Sequence, residues 1–132
     1  MNRPTHFEIQ AEDLERAAKF YRDVFGWSIE KWEAPGMEYW MIMTAPKDSS
    51  DAGINGGLLK RSAKTPPHEF GTNAYVCTVE VENFDATAQK ILAGGGIVAM
   101  PKFAMAGMAW QGYFLDTEGN TFGLHQTDKS AA

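Results

Sequence analysis

The sequence predicts an α+β fold built from two βαβββ modules in one domain, residues 1–132. Residues 6–29 are echoed at 76–99, where an extended apolar segment and a helical segment recur in the same order. Gly26 at the end of the first helical segment falls on Gly96 in the second. A repeat of this length that occurs only twice is too long for a solenoid unit, so we predict two similar halves. Paired halves usually hold a ligand in the groove between them.

Composition excludes several classes of partner. The net charge is −5, and the one positive cluster (Lys60, Arg61 and Lys64) is too small to attract nucleic acid. The single cysteine, Cys77, excludes an internal disulfide, and its apolar strand predicts a buried side chain. The N-terminus has no hydrophobic signal region, and no apolar stretch approaches the ~20 residues of a membrane span. We therefore expect a cytoplasmic protein with no nucleic-acid or membrane partner.

The first module covers about residues 4–61 and begins with a strand at Pro4–Gln10. Asp13 then suits a helix N-cap, because its carboxylate can accept from a free backbone N–H of the first turn. Gly26 suits the helix end, because glycine adopts the left-handed C′ conformation without strain. Between them, one apolar stripe at helical spacing predicts the buried face. Its members are Leu14, Ala17, Ala18, Tyr21, Val24 and Phe25.

Three extended runs complete the first module, at Trp27–Glu33, Glu38–Thr44 and Ile54–Lys60. A Pro-Gly turn separates the first two, and a polar stretch separates the second from the third. Residues 62–71 form the linker, in which a Pro-Pro pair favours an extended crossing.

The second module, about 72–127, repeats the pattern. Its predicted elements are a strand at Ala74–Val81, a helix at Phe84–Ala93 capped by Asn83, and strands at Ile97–Met100, Gln111–Asp116 and Thr121–Gln126. A tight turn at 116–120 joins the last two strands, and the tail from Asp128 is expected to fray. Residues 101–110 are apolar yet fall where a loop is expected, with Gly107 as a hinge. Such a loop suits closure over an apolar ligand or burial in a partner subunit, and the sequence leaves both open.

Two motifs carry a family resemblance. They are Phe-Tyr-x-x-x-Phe-Gly-Trp at 20–27 and Asp-x-Glu-Gly-Asn-x-Phe-Gly-Leu at 116–124. With the duplicated βαβββ pattern, the chain resembles the vicinal oxygen chelate superfamily, which includes glyoxalase I, bleomycin-resistance proteins and extradiol dioxygenases. Two further segments, Ile-Asn-Gly-Gly-Leu-Leu-Lys-Arg at 54–61 and Pro-Lys at 101–102, also look like a glyoxalase-related sub-branch of unknown activity. The resemblance implies a paired-cup fold, in which each module forms half of the cup around the site, and it implies a homodimer.

The resemblance also implies four metal-ligand positions, one on the first and one on the last strand of each module. Carried over one at a time, they fall on His6, Gly57, Val76 and Gly123. Only His6 has a side-chain donor, whereas a catalytic metal site normally uses about three protein ligands. We therefore expect a degenerate site and no cofactor. A divalent metal held by His6, Glu8 and His125 remains an alternative, although residues two apart on a strand are roughly 6.5–7 Å apart, which is awkward for joint ligation.

The candidate site residues are polar or aromatic side chains on the predicted strands. His6 and Glu8 suit a general acid–base pair, because partial burial shifts their pKa values towards neutrality. His125 suits ligand binding near the end of the last strand, and aromatic walls suit a planar or apolar ligand. The aromatic candidates are Tyr39, Trp110 and Tyr113. For all of these residues, a purely structural role in hydrogen bonding or core packing remains the alternative.

Two functional hypotheses follow. The first is a small-molecule binding protein, or a metal-independent lyase or isomerase, with an aromatic or carbonyl-containing ligand. The alternative is a metal-dependent lyase or isomerase that uses His6 with atypical ligands. The missing ligands argue against ordinary glyoxalase I or dioxygenase activity.

Overall fold

The computed structural model describes residues 6–34, 36–65 and 75–132. These residues divide into two compact units, with the boundary between Thr65 and Pro66. The elements of the first unit are β1 (Phe7–Ala11), α1 (Leu14–Phe25), β2 (Ser28–Ala34), β3 (Met37–Met43) and β4 (Gly56–Lys60). Those of the second are β5 (Cys77–Glu80), α2 (Phe84–Ala93), β6 (Ile97–Met105), β7 (Ala109–Leu115) and β8 (Thr121–Thr127). The predicted α+β class and the βαβββ order are therefore confirmed.

The two sheets have the same topology. The first has the strand order β1-β4-β3-β2 and the second has β5-β8-β7-β6. In both, the first strand of the unit pairs in parallel with the last, and the remaining neighbours are antiparallel. The predicted strand start at Pro4, the start at Ala74 and part of the linker lie outside the described residues.

The helix of each unit begins and ends where the sequence predicts. The Asp13 side chain accepts from the backbone N–H of Arg16 at 3.0 Å, and Gly26 ends α1 in the left-handed conformation with a φ of 70°. In α2, the Asn83 side chain accepts from the backbone N–H of Ala86 at 2.9 Å. These caps satisfy backbone donors that the first helical turn leaves without partners.

The core of the first unit lies on one face of its sheet. The α1 stripe is buried as predicted, although Phe25 at its end is only half-buried. Ile42 of β3 and Leu58 of β4 are fully buried. Since successive side chains of a strand point to opposite faces, the other face of this sheet carries Glu8, Tyr39 and Met41.

The second unit has a corresponding core. Phe84 of α2 packs against Phe114 of β7, with ring centroids 6.1 Å apart. A Cβ at Gly112 would lie 2.7 Å from the Phe84 ring, so glycine is needed for this close approach. Ile91 and Leu124 are fully buried beside them.

Residues 101–110 do not form the predicted loop. Strand β6 continues to Met105, the chain turns at Gly107 with a φ of 72°, and β7 begins at Ala109. The pairing of β6 with β7 shifts register between Val98 and Met100 and again between Met100 and Phe103. The prediction failed because Pro101 lacks the N–H that a regular ladder needs, and an edge strand with irregular pairing accommodates it.

The expected fraying of the C-terminal tail is also wrong. The Trp110 indole N–H donates to Asp128 at 3.1 Å, and the backbone N–H of Gly107 donates to the carbonyl of Ala131 at 2.8 Å. Ala131 is buried. The tail therefore packs against the turn between β6 and β7.

The turn at 116–120 is confirmed, and the Asp116 carboxylate explains why it is tight. This side chain accepts from the backbone N–H groups of Glu118 and Asn120, each at 2.8 Å. Gly119 takes a φ of 77° between them. Cys77, in contrast, is exposed where burial was expected, because β5 is an edge strand. Neither described helix is long and apolar enough to cross a membrane.

Candidate functional site

The candidate site begins with a row of residues across the helix-free face of the first sheet. Glu8 of β1 lies opposite Gly57 of β4, Gly57 lies opposite Met41 of β3, and Met41 lies opposite Glu30 of β2. Cross-strand partners share a face of the sheet. Tyr39, two residues before Met41, points to this face as well.

Tyr39 connects the two residues predicted to form an acid–base pair. Its hydroxyl lies 2.6 Å from Nε2 of His6, and it also hydrogen-bonds Glu8. Burial raises the pKa of Tyr39 above its ordinary value of 10.0, and the charge and hydrogen bond of Glu8 raise it further. The phenol is therefore held in its neutral form at physiological pH.

The donor and acceptor roles of His6, Glu8 and Tyr39 follow from the hydrogen bonds that each side chain can make. A phenol has one O–H, and a carboxylate can only accept, so the hydroxyl of Tyr39 donates to Glu8. The phenol oxygen must then accept from Nε2–H of His6. A neutral imidazole in this arrangement has its lone pair on Nδ1. We define His6, Glu8 and Tyr39 as the tyrosine cluster.

The tyrosine cluster fills the space that a side chain at Gly57 would need. A Cβ built on Gly57 would lie 2.6 Å from Cε1 of Tyr39 and would overlap its hydroxyl. Gly57 itself is buried. The glycine therefore admits the phenol, and the polar group at this position comes from β3 and not from β4.

A cavity of about 520 Å³ lies along the same face of the first unit. Its lining residues come from the end of α1, from β2 and β3, and from the segment that follows β3: Gly26, Ser28, Glu30, Met41, Met43, Thr44, Ala45, Pro46 and Lys47. Met41 borders both the cavity and Gly57. Ligand sites for small molecules commonly have volumes of ~300–1,000 Å³, so this cavity has the size for one.

The second unit builds a related cluster around Gly123. Thr78 of β5 lies opposite Gly123 of β8, and Gly123 lies opposite Tyr113 of β7. A Cβ on Gly123 would lie 3.1 Å from Nε2 of Gln111 and would overlap Oγ1 of Thr78. Two polar side chains therefore occupy the space beside this glycine.

His125 belongs to the same face of the second sheet. Its Nδ1 donates to Oε1 of Gln111 at 2.7 Å, and its Nε2 lies 3.7 Å from a carboxylate oxygen of Glu80. The Gln111 side chain is buried and reaches over Gly123 just as Tyr39 reaches over Gly57. We define Thr78, Glu80, Gln111 and His125 as the glutamine cluster.

The structure separates the two remaining aromatic candidates. Tyr113 shares its face with Gly123, whereas Trp110 points to the opposite face of β7. There the Trp110 ring packs 4.4 Å from Nζ of Lys102, and its N–H binds Asp128. Lys102 also pairs with Asp85 at 3.0 Å. The structure thus brings Tyr113 onto the face of His125, and it gives Trp110 contacts within the protein.

The donor set does not fit the four-ligand metal site that the resemblance implies. Gly57 and Gly123 have no side-chain donor, and neighbouring polar side chains already fill the space beside both. Val76, just before β5, is aliphatic and exposed. Across the part of the chain that the structure describes, no three His, Cys, Asp or Glu side chains are arranged to hold a metal ion.

The sequence predicted His6 and Glu8 as a pair and Tyr39 as a separate candidate, but it did not show that Tyr39 connects them. It also missed Thr78, Gln111 and the cavity. The available signal was glycine at a position where the resemblance expects a ligand. A glycine on one strand leaves space for a side chain of the neighbouring strand. Whether a tyrosine or glutamine side chain reaches that space depends on its rotamer.

Comparison with known proteins gives a consistent family. The model of the Glyoxalase/Bleomycin resistance protein/Dioxygenase superfamily matches residues 3–124. A glyoxylase-like domain-containing protein of Didymella fabae is 32% identical, over 89% of this chain and 88% of that protein. CFP32 of Mycobacterium bovis, whose name describes it as a candidate glyoxylase, is 28% identical over 96% of this chain. The chain spans only 46% of the length of that mycobacterial protein.

Solved structures share the fold. The fosfomycin resistance protein FosX of Listeria monocytogenes has a TM-score of 0.72 at 14% identity, over 97% of this chain and 93% of that chain. A FosX variant has been solved in complex with Mn(II) and a dihydroxypropylphosphonic acid. TnmS3, an antibiotic binding protein of Streptomyces sp. CB03234, has a TM-score of 0.67 at 22% identity, over 97% of this chain and 98% of that chain.

Proposed function

This chain belongs to the glyoxalase/bleomycin resistance protein/dioxygenase superfamily, and we propose that it binds a planar, carbonyl-containing small molecule through side chains alone. The tyrosine cluster supplies the polar contact, and the neighbouring apolar surface supplies the packing. No divalent metal takes part in this binding mode.

One observation carries the proposal: the phenol of Tyr39 occupies the space beside Gly57. The resemblance expects a metal ligand at that position, and a metal there would contact oxygen atoms of the substrate. A neutral phenol offers a different contact, a single O–H donor. A carbonyl oxygen is the matching acceptor.

The cluster can release its donor at low cost. Glu8 is exposed, so water can solvate its carboxylate when the hydroxyl of Tyr39 turns towards a ligand oxygen. His6 continues to donate to the phenol oxygen and holds the ring in place. The O–H donor of Tyr39 is therefore held in position before the ligand binds.

Apolar groups on the same face suit a planar ligand body. Trp32 of β2 lies opposite Tyr39, with ring centroids 6.2 Å apart, and is 52% exposed. Met41 is also exposed, and its flexible thioether adapts to ligands of different shape. TnmS3, an antibiotic binding protein with the same fold, supports a binding role for this fold.

A matched pair of probes tests the hydrogen bond. Acetophenone and ethylbenzene have similar aromatic bodies, but only acetophenone has a carbonyl oxygen. We expect acetophenone to bind more tightly, and Tyr39→Phe to reduce that preference by about three- to tenfold, the usual effect of one hydrogen bond. Dissociation constants from NMR titration provide the measurement. Tyr75→Phe is the control, because Tyr75 is fully exposed.

An unchanged preference for acetophenone in Tyr39→Phe would refute the role of the phenol. A separate titration with Zn²⁺, Mn²⁺, Ni²⁺ and Fe²⁺ after chelator treatment tests the metal-independent mode. We expect no thermal shift from any of these ions. Stoichiometric binding that disappears in His6→Ala would instead support the alternative, a metal-dependent lyase or isomerase with atypical ligands.

The same cluster favours one second candidate, a metal-independent isomerase or lyase acting next to a carbonyl. Nδ1 of His6 would accept a proton from the carbon beside the carbonyl, while Tyr39 donates a hydrogen bond to the oxygen. Exchange of the acetophenone methyl protons with deuterium from solvent would report this step by NMR. The catalytic candidate requires His6→Ala to abolish the exchange, whereas the binding proposal expects affinity within a few fold of the wild type.

A further inference from the structure

We propose that the cavity beside β2 and β3 binds the charged end of an apolar zwitterion, a molecule with an ammonium group and an anionic group on one apolar body. The ammonium group would pair with Glu30 and the anionic group with Lys47. This inference rests on the proposed function, because it names the ligand class for the same face of the first sheet.

The floor of the cavity is apolar. Met41 and Met43 lie two apart on β3, so both side chains point to this face. Met41 is 40% exposed and Met43 is half-buried. Exposed methionines on a concave surface are typical of sites that accept apolar groups. An apolar ligand body is therefore the matching chemistry.

Two opposite charges line the same cavity. Glu30 of β2 and Lys47 of the segment after β3 are both exposed. Within the described ranges, neither side chain has a hydrogen bond or an ion pair, with each other or with any other residue. Lys102 of the second unit, in contrast, pairs with Asp85 at 3.0 Å. Both charges are thus available to a ligand.

The pair of charges selects against singly charged ligands. An anion gains from Lys47 but is repelled by Glu30, and a cation gains from Glu30 but is repelled by Lys47. A zwitterion gains from both. The volume of about 520 Å³ holds one small ligand, so one molecule must carry both groups.

Met41 connects this cavity to the tyrosine cluster. It lies opposite Gly57, beside which Tyr39 is placed, and opposite Glu30. A ligand whose carbonyl contacts Tyr39 therefore has its remaining atoms next to Met41. An amino-acid-like group attached to an aromatic ketone combines the two sets of contacts.

Three probes of equal aromatic body test the charge selection. L-Phenylalanine has both charges, 2-phenylethylamine has only the cation, and 3-phenylpropionate has only the anion. Protein labelled with ¹³C in the methionine methyl groups reports binding through the Met41 and Met43 signals. We expect L-phenylalanine to bind about three- to fivefold more tightly than either analogue, since an exposed ion pair contributes little.

Two variants separate the charges. Glu30→Gln should make L-phenylalanine and 3-phenylpropionate bind equally, and Lys47→Gln should make L-phenylalanine and 2-phenylethylamine bind equally. Glu33→Gln is the control, because it makes the same charge change on the opposite face of β2. It should leave the order of the three probes unchanged.

Equal affinity for the three probes, or no shift of the Met41 and Met43 signals with any of them, would overturn the proposal. So would an effect of Glu33→Gln as large as that of Glu30→Gln. Acetophenone carries neither charge, so its comparison with ethylbenzene does not depend on Glu30 or Lys47. A failure here therefore differs from a failure of the phenol contact, which acetophenone alone reports.

Discussion

In both units a polar side chain covers a glycine of the last strand, but the covering side chain differs. In each, the last strand has a buried glycine, Gly57 or Gly123, and the neighbouring antiparallel strand sends a polar side chain over it. Tyr39 pairs with Leu59, and Gln111 pairs with His125, two residues beyond the respective glycine. Tyr39 and Gln111 are therefore equivalent positions of the repeat.

The clusters differ in the burial of the side chain that covers the glycine. Gln111 is only 6% exposed, and its amide oxygen accepts from His125. In the tyrosine cluster, Tyr39 is half-buried and His6 and Glu8 are exposed, and the cavity on the same face is lined by Met41, which lies opposite Gly57. A buried, satisfied side chain such as Gln111 mainly stabilises the fold, whereas a half-buried one with exposed partners can exchange those partners for a ligand. We therefore propose that the first unit binds the ligand and that the network of the second unit stabilises the fold.

The largest effects should come from the cores, where the two units are alike. Leu58→Ala and Leu124→Ala each remove a fully buried side chain at equivalent strand positions. We expect each to lower the free energy of unfolding by about 2–5 kcal/mol, through lost burial and the cavity left behind. Urea denaturation measures both. An effect confined to one of them would contradict the equivalence of the two cores.

Substitution of the two glycines by alanine should lower the free energy of unfolding by unequal amounts. Gly57→Ala forces the Tyr39 ring out of its position, and we expect a loss of about 1–3 kcal/mol in unfolding free energy, as for other overpacked sites. At Gly123→Ala, the overlap is with the hydroxyl of exposed Thr78, which can rotate away. We expect a loss below about 1 kcal/mol there. Equal losses would show that Tyr39 moves as freely as Thr78.

The polar side chains over the glycines should show the opposite order. Gln111→Leu leaves Nδ1 of His125 without its acceptor, and we expect a loss of about 1 kcal/mol. Tyr39→Phe should cost below about 0.5 kcal/mol near neutral pH, because water can solvate its exposed partners. A double-mutant cycle of Gln111→Leu with His125→Ala gives the coupling energy. No coupling would contradict a stabilising network in the second unit.

The smallest effect is a difference in pH dependence. The pKa of Tyr39 is raised in the folded protein, so its contribution to stability is fully present below pH 10.0 and is lost as the pH rises further. Above pH 10.0, the free energy of unfolding of the wild type should therefore fall relative to that of Tyr39→Phe. Denaturation at pH 9, 10 and 11 measures it. Gln111→Leu is the matched control, because an amide does not titrate.

Patterns along the chain predicted the fold well. The apolar spacing from Leu14, the caps Asp13 and Asn83, and the turn at Gly119 are all local signals, and each is confirmed. The extension of β6 through Pro101 was missed, because proline normally ends a regular strand and only irregular edge pairing tolerates it. The ordered tail was missed because its contacts come from distant residues such as Trp110.

The site was predicted only in part. The alternation of side chains along a strand placed Glu8 on the face of His6 and His125 on the face of Gly123. It could not show that Tyr39 and Glu8 share a hydrogen bond. That contact depends on which strand lies next to which, and on side-chain rotamers. The cavity has the same origin, because its lining combines β2, β3 and the segment after β3. No single stretch of sequence contains it.

The irregular strand β6 also bears on edge-to-edge strand pairing between copies of this chain. It lies at the edge of its sheet and presents Met100, Phe103 and Met105 as exposed apolar side chains. A straight edge of this composition would template the addition of further strands and the growth of fibrils. Pro101 removes a donor, and two register shifts disturb the row of free backbone groups. The same irregularity that made β6 hard to predict from the sequence thus protects the folded chain from aggregation at this edge.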